Sequence, residues 1–171
     1  MSRTPMKRIK VINDPTDLIP VLRALDSDVK QKVFKDVSEK WVTLTEVEKG
    51  YGEEGKRALL FFEKMKLVDT MWQAGEGNVQ EKAYHSYYMS FHINTSCPIM
   101  EISDVLSVAV MSEEDYRSLE NKVLEIVGSD GVFAGDVTEK LQLNPTLLKA
   151  VVRRSDHLEY KGHRIEPLSE G

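Results

Sequence analysis

The helical pattern of residues 43–66, TLTEVEKGYGEEGKRALLFFEKMK, is the most informative in the chain. It opens with Thr43 and Glu46 in the Thr-x-x-Glu spacing of a capping box, which predicts a helix start. A short first helix ends at the Gly-Tyr-Gly of residues 50–52, where glycine permits a sharp turn. A second, longer helix is predicted over residues 53–66. The pattern is therefore two helices joined by a tight turn.

The second of these helices has two chemically different faces. At 3.6 residues per turn, one side carries Ala58, Leu59, Phe62 and Met65, and the other carries Lys56, Arg57, Leu60 and Lys64. A short helix, a glycine turn and a longer helix with a basic outer face are typical of a helix-turn-helix. A helical hairpin with a solvated charged face fits this stretch, taken alone, equally well.

The residues around this stretch favour the helix-turn-helix. Helices are predicted from Asp14-Pro15 and from Asp26-Ser27, because each pair has a good N-cap residue. After the stretch, residues 68–73 have strand composition and residues 74–78 form a glycine-bearing loop. Residues 82–94 alternate apolar and polar side chains, which predicts one long half-buried strand. Helices followed by a two-stranded hairpin are the element order of a winged-helix domain.

Residues 95–111 fit two predictions. Apolar residues at helical spacing favour a helix that starts near Pro98, whereas the β-branched content would suit a strand. Asp104 breaks the strand alternation. The helix is therefore the preferred prediction.

The same element order then recurs in a smaller form. Ser112 caps a helix that ends at Gly128, Asn144-Pro145 starts a helix that ends at Arg154, and residues 158–165 spell a tight hairpin. A small helix is predicted between them, around residues 136–141. The repeat predicts an α+β, predominantly helical fold with two winged helix-turn-helix domains in tandem. The N-terminal domain with its linking segment would span residues 1–111, and the smaller C-terminal domain residues 112–171.

Charge is distributed unevenly along the chain. The net charge is −5, but residues 1–95 hold 15 Lys and Arg against 14 Asp and Glu, whereas residues 96–171 hold 8 against 14. Nucleic-acid binding depends on local basic surface and not on the total. The first ten residues carry four basic side chains and no acid, which suits either an arm that touches phosphate or a frayed end. No apolar run approaches the roughly 20 residues of a membrane span, and the N-terminus lacks the apolar core of a signal peptide, so we expect a cytoplasmic protein.

Neither an enzyme nor a metal site is predicted. The sequence has no Walker A loop, no dinucleotide fingerprint and no His-Glu-x-x-His. The single cysteine, Cys97, rules out an internal disulfide and a cysteine-cluster metal site. His85 and His92, if they share one strand, point to opposite faces. We expect no cofactor.

Two blocks of sequence resemble the ArsR-like winged-helix transcription regulators of archaea. The lead-in DPTDLIPVLRALDSDVKQKVFKDVSEKWVTLTEVEK is similar to their opening helices. The block YHSYYMSFHINTSCPIMEISDVLSVAVMSEEDY is similar to the segment that joins the wing to a second winged helix. The resemblance implies a DNA-binding, dimeric regulator. Metal-sensing relatives use paired cysteines near the recognition region; residues 43–66 hold neither cysteine nor histidine, so metal sensing is not implied.

The sequence therefore predicts a transcription regulator that binds double-stranded DNA as a homodimer on a two-fold operator. The first winged helix is the expected main reader. The predicted DNA-binding residues are Lys56, Arg57, Leu60, Lys64, Lys149, Arg153, Arg154, Lys161, His163 and Arg164. The alternative is a winged-helix adaptor that binds another protein, including one of the transcription machinery, without contacting DNA.

Overall fold

The computed structural model describes residues 8–86 and 88–168, apart from the side chain of Met89. Its helices are α1 (Leu18–Ala24), α2 (Asp28–Glu39), α3 (Leu44–Lys64), α4 (Ile99–Val110), α5 (Glu113–Val127), α6 (Ala134–Leu141) and α7 (Pro145–Arg154). Its strands are β1 (Arg8–Ile12), β2 (Val42–Thr43), β3 (Asp69–Ala74), β4 (Gln80–His85), β5 (Tyr88–Ile93), β6 (Val132–Phe133), β7 (Leu158–Lys161) and β8 (Arg164–Pro167). The predicted α+β, predominantly helical class is confirmed.

The chain divides into two compact units. Among the described residues, the first contains residues 8–12 together with Ala24–Asn94, and the second contains Asn13–Arg23 together with residues 95–168. This division does not follow the predicted boundary between residues 111 and 112. Two segments, Asn13–Arg23 and residues 95–111, belong to the same unit as the C-terminal helices.

Helix α3 has the predicted capping box and the predicted turn. The Glu46 N–H donates to Thr43 Oγ1 over 3.2 Å, and the Thr43 N–H donates to Glu46 Oε2 over 2.9 Å. Gly52 breaks the helix with φ 68° and ψ −156°, a conformation that side chains with a Cβ rarely adopt. The two halves of α3 on either side of Gly52 therefore have different axis directions. Its inner face, which includes the fully buried Leu59 and Phe62, forms the centre of the core of the first unit.

The predicted hairpin of the first unit forms, but its second strand is shorter than predicted. Strands β3 and β4 pair antiparallel, and β2 pairs with the other edge of β4. The prediction of one strand over residues 82–94 is wrong, because the run divides into β4 and β5. The cause is Ser86, which is buried and donates its N–H to the Val37 carbonyl of α2 over 2.8 Å, outside the sheet. Strand β5 then pairs in parallel with β1.

The basic N-terminal segment does form regular structure. Residues Arg8–Ile12 make β1, and Ile12 at its end is fully buried. For these residues the frayed end is wrong, whereas the contact with phosphate stays a prediction. The earlier basic residues Arg3 and Lys7 lie outside the described part, as does Tyr87 in the predicted strand.

The second unit contains the helices and the hairpin of the predicted repeat. Helix α5 is followed by β6, α6, α7 and the antiparallel pair β7–β8, with strand order β6-β8-β7. Gly162 occupies the hairpin turn with φ 62°, as predicted. Residues 95–111 contain α4, which confirms the preferred helix.

The outer side of α7 is where the structure of this unit differs most from the sequence prediction. The sequence pattern predicts that Thr146, Lys149, Ala150 and Arg153 face solvent. That prediction is wrong for Ala150, which is fully buried. Both α4 and the short 3-10 turn Pro15–Asp17 pack on α7. Helix α7 is therefore covered on the side that the sequence pattern leaves open.

We expect Gly52→Ala to lower the free energy of unfolding by about 1–3 kcal/mol, since the left-handed region is costly for alanine. Gly50→Ala is the matched control: Gly50 has no positive φ and nothing lies within 4 Å of an added Cβ. That change should be neutral or stabilising. Urea unfolding followed by tryptophan fluorescence measures the first unit, because both tryptophans lie in it. Equal effects of the two substitutions would contradict the role of Gly52.

Candidate nucleic-acid interface

The outer face of the second half of α3 brings together the four side chains predicted there. Arg57 is exposed, and Lys56 and Lys64 are half-buried. Leu60 lies among them with 43% of its surface exposed, although it is a large apolar residue. The helix thus presents three cations around one apolar side chain, and the opposite face supplies the core.

Acidic side chains lie near this face, and one of them is neutralised within the protein. Glu63 forms an ion pair with Lys82 of β4, so its carboxylate does not act as an isolated negative charge. Glu53 and Glu54 are exposed at the start of the second half of α3. Negative charge is favourable at a helix N-terminus because of the helix dipole. Lys82 was not a predicted site residue; its place opposite α3 depends on the strand register.

The hairpin β3–β4 adds exposed apolar side chains that were not among the predicted site residues. Trp72 on β3 is 67% exposed, and Val79, after the turn, is 66% exposed. The sequence gives little indication that these side chains are exposed, because the pattern VDTMWQ of residues 68–73 predicts a strand and nothing more. Strand alternation places Met71 and Trp72 on opposite faces of the strand but does not indicate which face is solvated.

The predicted residues of α7 have partners inside the second unit. Lys149 forms an ion pair with Asp14, and Arg153 Nε lies 3.2 Å from Asp17 Oδ1. Burial raises the pKa of Asp14, but the hydrogen bonds from Lys149 and Thr16 outweigh it and hold the pKa below its ordinary value. Two basic side chains of α7 thus face two carboxylates of residues 13–23.

Arg154 is buried and has hydrogen-bond partners within the protein. It is 5% exposed and donates to the carbonyl oxygens of Val108 and Met111, each over 2.8 Å. Its guanidinium also donates to Glu113 Oε2 over 3.1 Å and lies 4.2 Å from the Tyr116 ring centroid. Burial lowers its pKa. Arg154 satisfies carbonyl groups at the C-terminal end of α4, which lack partners within the helix.

The three predicted residues of the second hairpin lie at its turn and are paired with acids in part. Lys161 Nζ lies 3.0 Å from Glu166 and 3.4 Å from Glu159. Arg164 donates to the Asp130 carbonyl over 3.1 Å and lies over the Phe133 ring. His163 is exposed. This turn carries cations whose charge is largely balanced by neighbouring carboxylates.

Within residues 8–86 and 88–168, no group of three or more His, Cys, Asp or Glu side chains is placed to hold a metal ion. His85 and His92 lie on separate strands, so the assumption of a common strand was wrong. The His85 ring lies 5.3 Å from the Trp41 ring. Among the described helices, none is both long and apolar enough to cross a bilayer.

The family model described as ArsR transcriptional regulator matches residues 12–169, nearly the whole chain. The chain belongs to the ArsR transcriptional regulator family. The match spans both compact units, so the family assignment includes the second unit and the 13–23 segment. It confirms the resemblance stated from the sequence at the level of the family. A comparison with curated proteins found no match.

We expect the second unit to lose stability on acidification partly through Asp14. A depressed pKa in the folded state contributes stability above the ordinary aspartate pKa, and this contribution is lost as the pH falls through the folded value. Asp14→Asn should therefore flatten the decline in unfolding free energy below about pH 4. Urea unfolding followed by circular dichroism at several pH values measures this.

Asp156→Asn is the matched control for this experiment, since Asp156 is an exposed carboxylate of the same unit. It should retain the wild-type pH profile. Identical profiles for the wild-type protein and Asp14→Asn would show that the ion pair with Lys149 adds no stability.

Proposed function

We propose that the protein is a sequence-specific regulator that binds double-stranded DNA through a winged helix in its first unit. The observation that carries the proposal is the outer face of α3, where Lys56, Arg57 and Lys64 surround the exposed Leu60. Family membership supports the same role. In this proposal the turn at Gly52 is that of a helix-turn-helix, and β3–β4 is the wing.

The dimensions of α3 suit a major groove. Its second half, residues 53–64, is about 18 Å long at 1.5 Å per residue, and the groove of B-DNA is about 12 Å wide and admits one helix. Arg57 is the candidate for a bidentate bond to guanine, because its guanidinium presents paired donors. Lys56 and Lys64 would contact phosphates, and Leu60 would contact a thymine methyl group.

The local charge is adequate although the chain is acidic overall. The Lys82 pair neutralises Glu63, and the remaining acids of this helix lie at its N-terminal end. Phosphate contacts require only local cations.

We assign the second unit a different part in this function. The contacts of Lys149 and Arg153 with acids, and the burial of Arg154, favour structural roles, so α7 is not part of the proposed reading surface. Lys161, His163 and Arg164 remain candidates for a secondary phosphate contact. The element order of this unit supports a second winged helix whose recognition helix is covered by its own chain.

The proposed oligomer is a homodimer on a two-fold operator, with α4 in its interface. Ile99 is 85% exposed, Val110 is 79% exposed, and Leu106 is 46% exposed. Together with Ser103 they follow a four-three-four spacing along one stripe of the helix. This stripe has no charged side chain, so two copies can bury it without desolvating charge.

The same stripe favours a second candidate function, an adaptor that binds another protein through α4 without contacting DNA. The acidic C-terminal half suits a protein partner, such as a component of the transcription machinery. Purification distinguishes the candidates. An adaptor would carry a stoichiometric protein partner and show no affinity for DNA even at low salt.

For DNA binding, we expect tight association with duplex DNA at low salt that weakens steeply as salt is added, because phosphate contacts release counterions. The double substitution Lys56→Glu with Arg57→Glu should lower the affinity by about a hundredfold or more, since it removes a base contact and a phosphate contact and adds repulsion. Fluorescence anisotropy with labelled duplex, at two salt concentrations, measures both effects.

A matched variant, Lys32→Glu with Lys35→Glu on the exposed side of α2, makes the same change in net charge. It should retain most of the affinity. No binding by the wild-type protein at low salt would reject the proposal, and equal losses in the two double variants would reject α3 as the reading helix.

For the dimer, we expect light scattering to return about twice the chain mass of 19.5 kDa at micromolar concentration. Leu106→Glu should shift the protein to the monomer mass, because it places a charge within the apolar stripe. Leu22→Glu, at an exposed leucine of the same unit, is the control and should leave the mass unchanged. A monomeric wild-type protein would contradict the dimer.

A further inference from the structure

Helix α4 buries its smaller apolar side chains and exposes its larger ones. Eight of its twelve residues are apolar, so the apolar surface covers more than one face of the helix. The fully or almost fully buried members are Val105, Val108 and Ala109. The members between 46% and 85% exposed, which are larger on average, are Ile99, Met100, Leu106 and Val110. Hydrophobic burial alone would favour the opposite arrangement.

A hydrogen bond near the middle of α4 fixes the helix to the start of α7. Asn144 Nδ2 donates to Asp104 Oδ2 over 2.9 Å. Asn144 is also the N-cap of α7, where its Oδ1 accepts the N–H of Leu147 over 2.7 Å. Because the oxygen of this amide is held by the helix start, its nitrogen is directed to Asp104 in a fixed orientation.

A second set of hydrogen bonds fixes the C-terminal end of α4 to the end of α7. Arg154, the last residue of α7, donates from Nη1 to the carbonyl oxygens of Val108 and Met111, each over 2.8 Å. The two ends of α7 therefore hold α4 at two separate points along its length. A helix held in this way cannot turn about its own axis without breaking one of these bonds.

We propose that Asn144 and Arg154 are positioning residues, which fix the rotation of α4 and so present its apolar stripe to a second copy of the chain. This rests on the proposed homodimer. Polar contacts can specify one arrangement where apolar packing allows several. The stripe is uncharged, so it neither repels a copy of itself nor selects a charged partner. Two copies related by a two-fold axis bring the same surface together.

The first test exchanges the donor and the acceptor of the middle bond. Asn144→Asp keeps an N-cap residue of equal quality but places a second carboxylate beside Asp104. We expect it to weaken the dimer about tenfold or more, because repulsion replaces a hydrogen bond. Asp104→Asn combined with Asn144→Asp has the wild-type net charge and one donor again. This pair should restore nearly the wild-type dissociation constant, measured by sedimentation equilibrium.

Asn121→Asp is the matched control, since Asn121 is an exposed asparagine of α5 in the same unit. It adds the same charge and should leave the dissociation constant unchanged. At the other attachment point, Arg154→Met should weaken the dimer. Arg154→Lys, which retains a charged donor for the two carbonyl oxygens, should weaken it less.

The second test measures the rotation of α4 in a Cys97→Ser background. Val105→Cys places a thiol at a fully buried position of α4. Adding Asn144→Asp should speed its reaction with a thiol reagent about tenfold, because the helix opens more easily when a bond is lost. Val123→Cys, at a fully buried position of α5, is the control for general unfolding and should stay protected.

Two results would overturn the inference and leave the dimer intact. One is a dimer of unchanged affinity in Asn144→Asp, with the thiol at position 105 still protected. The other is a weakened dimer that the exchange of donor and acceptor does not restore. If the wild-type protein is monomeric, the proposed dimer itself has failed, and the positioning role in it fails as well.

Discussion

The second unit is organised around α7, which is packed on both sides. Its core side meets α5 and the β7–β8 hairpin, and its other side meets α4 and the 13–23 segment. Arg154 ties this arrangement to the end of α4 through two carbonyl oxygens. A buried guanidinium is tolerated only where its donors are satisfied. Displacing α4 would leave those donors and carbonyls without partners.

This packing distinguishes α7 from α3. In each unit a long helix is followed by an antiparallel pair of strands. The outer face of α3 carries the exposed Arg57 and Leu60, whereas α7 is covered by α4 and the 13–23 segment. On α7, Lys149 pairs with Asp14 and Arg153 pairs with Asp17. The repeat of a fold pattern therefore does not imply a repeat of its activity. The unit with the covered helix also carries the exposed stripe of α4, which suits contact with a second chain.

Much of the secondary structure was predictable because its signals are local. The Thr43 capping box, the glycine turn at Gly52, the Asn144-Pro145 start of α7 and the Gly162 hairpin each depend on a few neighbouring residues. The face of α3 with Lys56, Arg57 and Leu60 was also predictable, since helical periodicity needs no knowledge of the partner. By contrast, the break at Ser86 depends on a bond to α2, whose position no strand pattern encodes. Strand β1 forms because it pairs with β5, which is far from it in the sequence.

The amino-acid order alone thus established the helices, the two hairpins and a basic, partly apolar face, and it pointed to the ArsR family. The tertiary structure decided which surfaces remain open. It covered α7 with residues 13–23, paired Glu63 with Lys82, and left Trp72 of β3 exposed. The physical reason is that periodicity and capping act within a few residues, whereas burial and ion pairing depend on which distant segments meet.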